Sequence, residues 1–165
     1  RTDSSAASDV YKRQTTPYPA PDVILPNETG DIIDIKDFRP NMVVLFFYPR
    51  DNTSGCTREA KDFTENTELF NNLNINVFGI SKDSITSHEK FIKKQNLTIP
   101  LLSDEAGSVC EDFGVWKEKS MYGKIYMGIE RSTFIIDGSG SVIHEWRKVK
   151  VANHVEEVLE AIKKL

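Results

Sequence analysis

Cys56 stands three residues after Thr53 and directly after Gly55, in the stretch YPRDNTSGCTREA over residues 48–60. Cysteine acts as a nucleophile in its thiolate form. An ordinary thiol titrates near ~8.5, and a helix N-terminus or a neighbouring cation favours ionisation. The run MVVLFF before this stretch is continuous, apolar and rich in β-branched and aromatic residues. It reads as a central strand buried on both faces. Cys56, Ala60, Phe63, Thr67 and Phe70 then recur at helical spacing. Cys56 is therefore expected at a helix start, facing N–H groups without helical partners and the positive end of the dipole. Thr53 or Ser54 can cap that helix. Gly55 lets backbone approach a ligand closely. The Thr53 hydroxyl can donate to the sulfur or to a bound oxygen, and Pro49 stiffens the exit from the strand. Such a pocket suits a small, electron-rich substrate. A plainer reading stands beside it: a small buried cysteine in a helix, with Thr53 as its cap.

The elements that must position this turn are those of an α/β fold. Short strands are expected at residues 23–25 and 32–35, on either side of NETG. The central strand spans 42–48 and a second buried strand 77–81. A helix over 84–95 turns Ile85, Phe91 and Ile92 inward. A brief strand at 100–102 precedes a short helix over 104–113, ended by Gly114. Strands at 133–137 and 142–147 flank DGSG, a hairpin signal. A closing helix over 152–165 puts Val155, Val158, Leu159 and Ile162 on one face. This order predicts a mixed central sheet flanked by helices, on the thioredoxin-like plan. The segment KEKSMYGKIYMG reads as a mobile surface loop near the site. Trp116, Tyr122, Tyr126 and Met127 read as core, with a pocket wall or dimer face as the other possibility.

The chain's 165 residues suit one domain over 15–165. Residues 1–14, RTDSSAASDVYKRQ, resemble translated vector sequence; a disordered native tail is the other reading. With 39% apolar and 28% charged residues and a net charge of −4, nothing favours nucleic acid or an anionic membrane as partner. No apolar run approaches the ~20 residues of a transmembrane helix, and a cytoplasmic address is expected. Cys56 and Cys110 are too few for a disulfide scaffold. With three histidines and no CxxC or HxxxH spacing they make a poor zinc site, so neither metal nor cofactor is expected. His88, between Ser87 and Glu89, reads as solvated. His144 lies on a hairpin strand and His154 near a helix start, and none has the spacing of a Cys–His pair. Arg58 reads as an exposed cation.

The segment FFYPRDNTSGCTREA resembles the active-site motif of peroxiredoxins of the bacterioferritin comigratory protein type, also called PrxQ. FGIS, LLSDEAGSVCEDFGVWKEKSMYGK, GIERSTFIID and HVEEVLEAI are similar to the same family, in order, over about residues 17–165. The resemblance implies a thioredoxin-like fold. It also implies reduction of hydrogen peroxide and organic hydroperoxides through a cysteine sulfenic acid, with thioredoxin or another thiol as reductant. It makes Cys56 the peroxidatic cysteine, Thr53 the threonine touching sulfur and peroxide, and Pro49 the shield of the sulfur. Arg131 becomes the arginine that reaches the site from a distant strand. Gly55 and Glu59 are implied in substrate binding, Glu59 as the motif glutamate that orients an arginine. A monomer or weak dimer is expected.

Two residues depart from the pattern. Ser54 stands where the family usually has Pro, and a slightly looser turn is expected. Many relatives carry a resolving cysteine five residues after the peroxidatic one, and here that position is Lys61. No resolving cysteine is expected. Cys110 shares a helical face with Ala106, Val109 and Phe113 and reads as a core residue, so it is a weak candidate for resolving. A one-cysteine peroxidase with an external thiol reductant is the leading reading. Its rivals are a general thiol–disulfide oxidoreductase, which needs a second nearby thiol, and a redox-inactive binding or holdase module on the same fold.

Overall fold

The computed structural model describes residues 15–165; the leader expected over 1–14 lies outside them. The strands are β1 (Tyr18–Pro19), β2 (Ile24–Pro26), β3 (Ile32–Asp34), β4 (Met42–Phe47), β5 (Ile75–Ser81), β6 (Leu101–Ser103), β7 (Trp116–Met121), β8 (Lys124–Ile129), β9 (Ser132–Ile136) and β10 (Ser141–Arg147). The helices are α1 (Ser54–Glu65), α2 (Thr67–Asn72), α3 (Ile85–Gln95), α4 (Val109–Asp112) and α5 (His154–Lys163), with a 3-10 turn at Ile35–Phe38. Six strands form one sheet in the order β1-β10-β9-β4-β5-β6. β4 pairs in parallel with β5 and antiparallel with β9, so the sheet is mixed, as expected.

β4 shows why an unbroken apolar run is needed there. Its residues alternate between the two faces of the sheet. Val43, Leu45 and Phe47 join one core with Leu25, Cys110, Phe113 and Phe134. Val44, Phe46 and the following Tyr48 join another with Cys56 and Phe63 of α1, Phe91 of α3 and Val158 of α5. Phe46 stacks on Phe63 with ring centroids 4.5 Å apart. Both faces of β4 are therefore occupied, and the strand carries the chain straight to the turn before Cys56.

Several expected elements differ. The helix expected through Phe70 breaks at Asn66, whose amide side chain donates to the Asp62 carbonyl at 2.8 Å, and α2 begins anew. The helix expected over 104–113 shrinks to α4, because Asp104 instead accepts from the N–H groups of Val109 (3.1 Å) and Cys110 (2.8 Å). Ala106 is consequently exposed rather than on a core face. The supposed mobile loop is the β7–β8 hairpin, with Glu118 opposite Met127 and Lys119 opposite Tyr126. Tyr122, Tyr126 and Met127 on it are exposed, not core, while Trp116 packs against the first core.

Candidate active site

α1 begins at Ser54, with Thr53 in extended geometry at the cap. Thr57 N–H already bonds to the Thr53 carbonyl at 2.9 Å. The N–H groups of Ser54, Gly55 and Cys56 precede that bond and have no acceptor within the helix. Cys56 is the third residue of α1, and its side chain is buried at 1% exposure.

Arg131 arrives just before β9, far along the chain. Its Nη2 donates to Cys56 Sγ at 3.4 Å, and its Nη1 donates to Glu59 Oε1 at 2.7 Å. One planar guanidinium thus spans the cysteine and the glutamate one turn further into α1. Burial works against the Arg131 charge, yet Glu59 and Cys56 together hold its pKa above the usual value. Glu59 is fully buried, and its Oε2 has no hydrogen-bond partner among the described residues. Burial pushes its pKa up to about 7, against the opposing pull of Arg131.

Gly55 has a use beyond the one expected. A Cβ built there would lie 3.2 Å from Arg131 Nη2 and 3.9 Å from Val151 Cγ2. Its missing side chain makes room for the guanidinium. The Thr53 hydroxyl differs from expectation: it donates to the Arg50 carbonyl at 2.9 Å, not to the sulfur, and it makes no capping bond. With its proton so committed, the Thr53 oxygen is left as an acceptor for a substrate hydroxyl. Pro49 is half-buried in the loop between Tyr48 and α1. Arg58 is exposed, with Asp62 4.0 Å away.

Lys119 was not legible as a site neighbour. Its Nζ donates to the Ile129 carbonyl at 2.5 Å, two residues before Arg131. Burial and the Arg131 charge lower its pKa, while Cys56 pulls the other way. Reading the hairpin as a loop concealed it. His88 corrects the solvated expectation: it is fully buried, with Nδ1 2.8 Å from Asp51 Oδ2 and Nε2 3.0 Å from the Leu102 carbonyl. The usable signal was its place on the inward stripe with Ile85, Phe91 and Ile92. His154 is also buried; its Nε2 lies 2.7 Å from Thr133 Oγ1, and burial and Arg131 lower its pKa to about 4. His144 stacks on Trp146 at 4.1 Å between ring centroids.

Cys110 lies in the other core, across the sheet from Cys56. Burial and then the Asp104 carboxylate push its thiol far above the usual value.

The arrangement can stabilise negative charge on sulfur and on an oxygen beside it, through one fixed cation and a cluster of unpaired amides. The chain is similar to known proteins. Residues 17–145 match the AhpC/TSA family model. The chain is 48% identical to "Peroxiredoxin Bcp" of Bacillus subtilis over 144 residues, covering 87% of this chain and 92% of that one. It is 40% identical to "Peroxiredoxin Bcp" of Escherichia coli K12 with the same coverage. A solved structure of the Xanthomonas campestris bacterioferritin comigratory protein, studied for alkyl peroxide reduction, aligns with a TM-score of 0.82 at 41% identity. It covers 86% of this chain and 90% of that one. The chain belongs to the AhpC/TSA family, as a peroxiredoxin of the Bcp/PrxQ type with a thioredoxin-like fold.

Proposed function

We propose that Cys56 is the peroxidatic thiol of this thiol-dependent peroxidase, and that it works in a one-cysteine cycle closed by an external thiol. The observation that carries this reading is the Arg131 guanidinium 3.4 Å from the Cys56 sulfur. The thiolate attacks the terminal oxygen of a hydroperoxide. The S–O bond forms as the O–O bond breaks, and the electron pair leaves on the second oxygen, which takes a proton from water to become an alcohol or water. Cys56 is left as a sulfenic acid. Arg131 offsets the charge that spreads from sulfur to the leaving oxygen, and the N–H groups of Gly55 and Cys56 orient the peroxide. The Thr53 oxygen accepts the hydrogen bond of the peroxide O–H. Pro49 shields the sulfur, and Glu59 holds the far side of Arg131.

An external thiol then attacks the sulfenic sulfur and water departs. A second thiol releases Cys56 from the mixed disulfide. Lys61 at the usual resolving position and Cys110 across the sheet support the external route over an internal one. The same two facts weigh against a general thiol–disulfide oxidoreductase. Thioredoxin is the reductant we favour, for a monomer or weak dimer. Two unpaired cysteines suit a reducing compartment such as the cytoplasm; no helix among the described residues is long and apolar enough to cross a membrane. We take residues 15–165 as the working domain.

The experiment is peroxide consumption with a thioredoxin system, in wild type and Cys56→Ser. The expected outcome is rapid turnover that the substitution abolishes. Equal consumption by both proteins would refute the assignment.

A further inference from the structure

We propose that Asp51 is a positioning residue for this reaction: it fastens the loop that carries Pro49 and Thr53, and the strength of that fastening sets how often the loop opens for an external thiol. The inference rests on Cys56 being the peroxidatic thiol.

Between Arg50 and Gly55, Asp51 is the one buried residue; Arg50, Asn52, Thr53 and Ser54 are exposed. A carboxylate is seldom buried unless its charge is paired and hydrogen-bonded. Asp51 is provided for from three directions. Its Oδ1 accepts from the Tyr48 hydroxyl at 2.6 Å, at the end of β4. Its Oδ2 accepts from the Ser87 hydroxyl and faces His88 Nδ1, both at 2.8 Å, on α3. Its backbone N–H donates to Asp83 Oδ2 at 2.8 Å, just beyond β5, and Ser81 Oγ donates to the same oxygen at 2.7 Å.

The Leu102 carbonyl can only accept, so His88 Nε2 carries a proton. The His88 Nδ1 faces the Asp51 carboxylate at 2.8 Å. Every polar atom of this cluster that faces Asp51 is thereby used. The loop's other hydrogen bonds stay local: Thr53 bonds back to Arg50 and Thr57 to Thr53. Among the hydrogen bonds of residues 50–54, those reaching other elements come from Asp51.

The consequence for the reaction follows from burial. At 1% exposure Cys56 offers a thiol with its own carbon chain far less access than it offers a small peroxide. The sulfenic acid must become accessible before it is reduced. Residues 49–55 lie next to it in sequence, and moving them requires Asp51 to leave its partners. The closed form is dominant, so a weaker anchor multiplies the small open population while leaving the closed population nearly unchanged. The two half-reactions therefore respond differently, which a loss of general stability does not produce.

The test measures the two steps separately by rapid mixing: reduced protein with hydrogen peroxide, then the sulfenic form with dithiothreitol. Tyr48→Phe removes one hydroxyl from the Asp51 carboxylate without changing side-chain shape. One hydrogen bond to a charged group is worth about tenfold or more in such an equilibrium. The thiol step is expected to quicken by about that factor while the peroxide step is unchanged or slower. Asp51→Asn gives a larger effect of the same sign, and if it fails to fold Tyr48→Phe decides alone. A thiol step unchanged or slowed in Tyr48→Phe overturns the inference. Wild type that consumes no peroxide through Cys56 refutes instead the reading on which the inference rests.

Discussion

The protein buries two cysteines on opposite faces of one sheet, Cys56 at 1% exposure and Cys110 at 0%. Both sit near the start of a helix. They differ in the charge beside them. Cys56 opens a twelve-residue helix and receives an N–H from Arg131. Cys110 belongs to a four-residue helix, and the Asp104 carboxylate that accepts its backbone N–H opposes ionisation of its thiol more than Lys82 favours it. A negative neighbour opposes a thiolate and a positive one supports it. Burial alone therefore does not mark a cysteine as inert. The sign of the adjacent charge, and the length of the helix aimed at the sulfur, separate the two.

The comparison breaks most sharply if Arg131 is removed. Arg131→Met strips Cys56 of its cation and is expected to slow the peroxide step by roughly 100- to 1,000-fold, the usual cost of losing a preorganised charge-stabilising donor. Stopped-flow kinetics with hydrogen peroxide measures this. A loss below tenfold would make Arg131 a structural residue.

Glu59 sharpens the same comparison from the other side of the guanidinium. Its folded-state pKa is raised from 4.5 to about 7, first by burial. The native state therefore holds this proton more tightly than the unfolded chain does. Its contribution is most favourable below about pH 4.5 and is lost as pH rises through 7. The shift corresponds to about 2–3 kcal/mol between pH 5 and pH 8. Urea unfolding of Glu59→Gln at these two pH values should show stability falling less with pH than in wild type, by about that amount. Parallel pH dependence in the two proteins would place the titration elsewhere.

The smallest effect belongs to Cys110→Ala. Removing a buried sulfur from the core with Phe113 and Val109 should cost about 1–2 kcal/mol in urea unfolding, with peroxide turnover retained. Lost turnover in the folded variant would give Cys110 a part in the cycle.

These contrasts were unequally legible in the sequence. β4 and the start of α1 were plain, because an apolar run followed by TSGC leaves little choice about where the strand ends. Arg131 was reached through family resemblance alone: local periodicity carries no information about a contact between residues so distant in sequence. Gly55 was legible as a close approach, but its neighbour turned out to be the guanidinium. The β7–β8 hairpin was missed because Lys117, Glu118, Lys119 and Ser120 alternate no apolar face, and a strand paired with only one other needs none. His88 was missed because its sequence neighbours Ser87 and Glu89 are both polar, although only Glu89 is exposed and Ser87 turns its hydroxyl to the buried Asp51. Asp51 gave no signal, since a carboxylate in a loop is ordinarily solvated and only its four partners, gathered from three elements, explain its burial.

The most direct test of the charge-based account is to expose reduced protein to a single equivalent of hydrogen peroxide with a sulfenic-acid trap present, then map the adduct by mass spectrometry. The account predicts trapping at Cys56 and none at Cys110. An adduct on Cys110, or a disulfide joining the two cysteines, would contradict it.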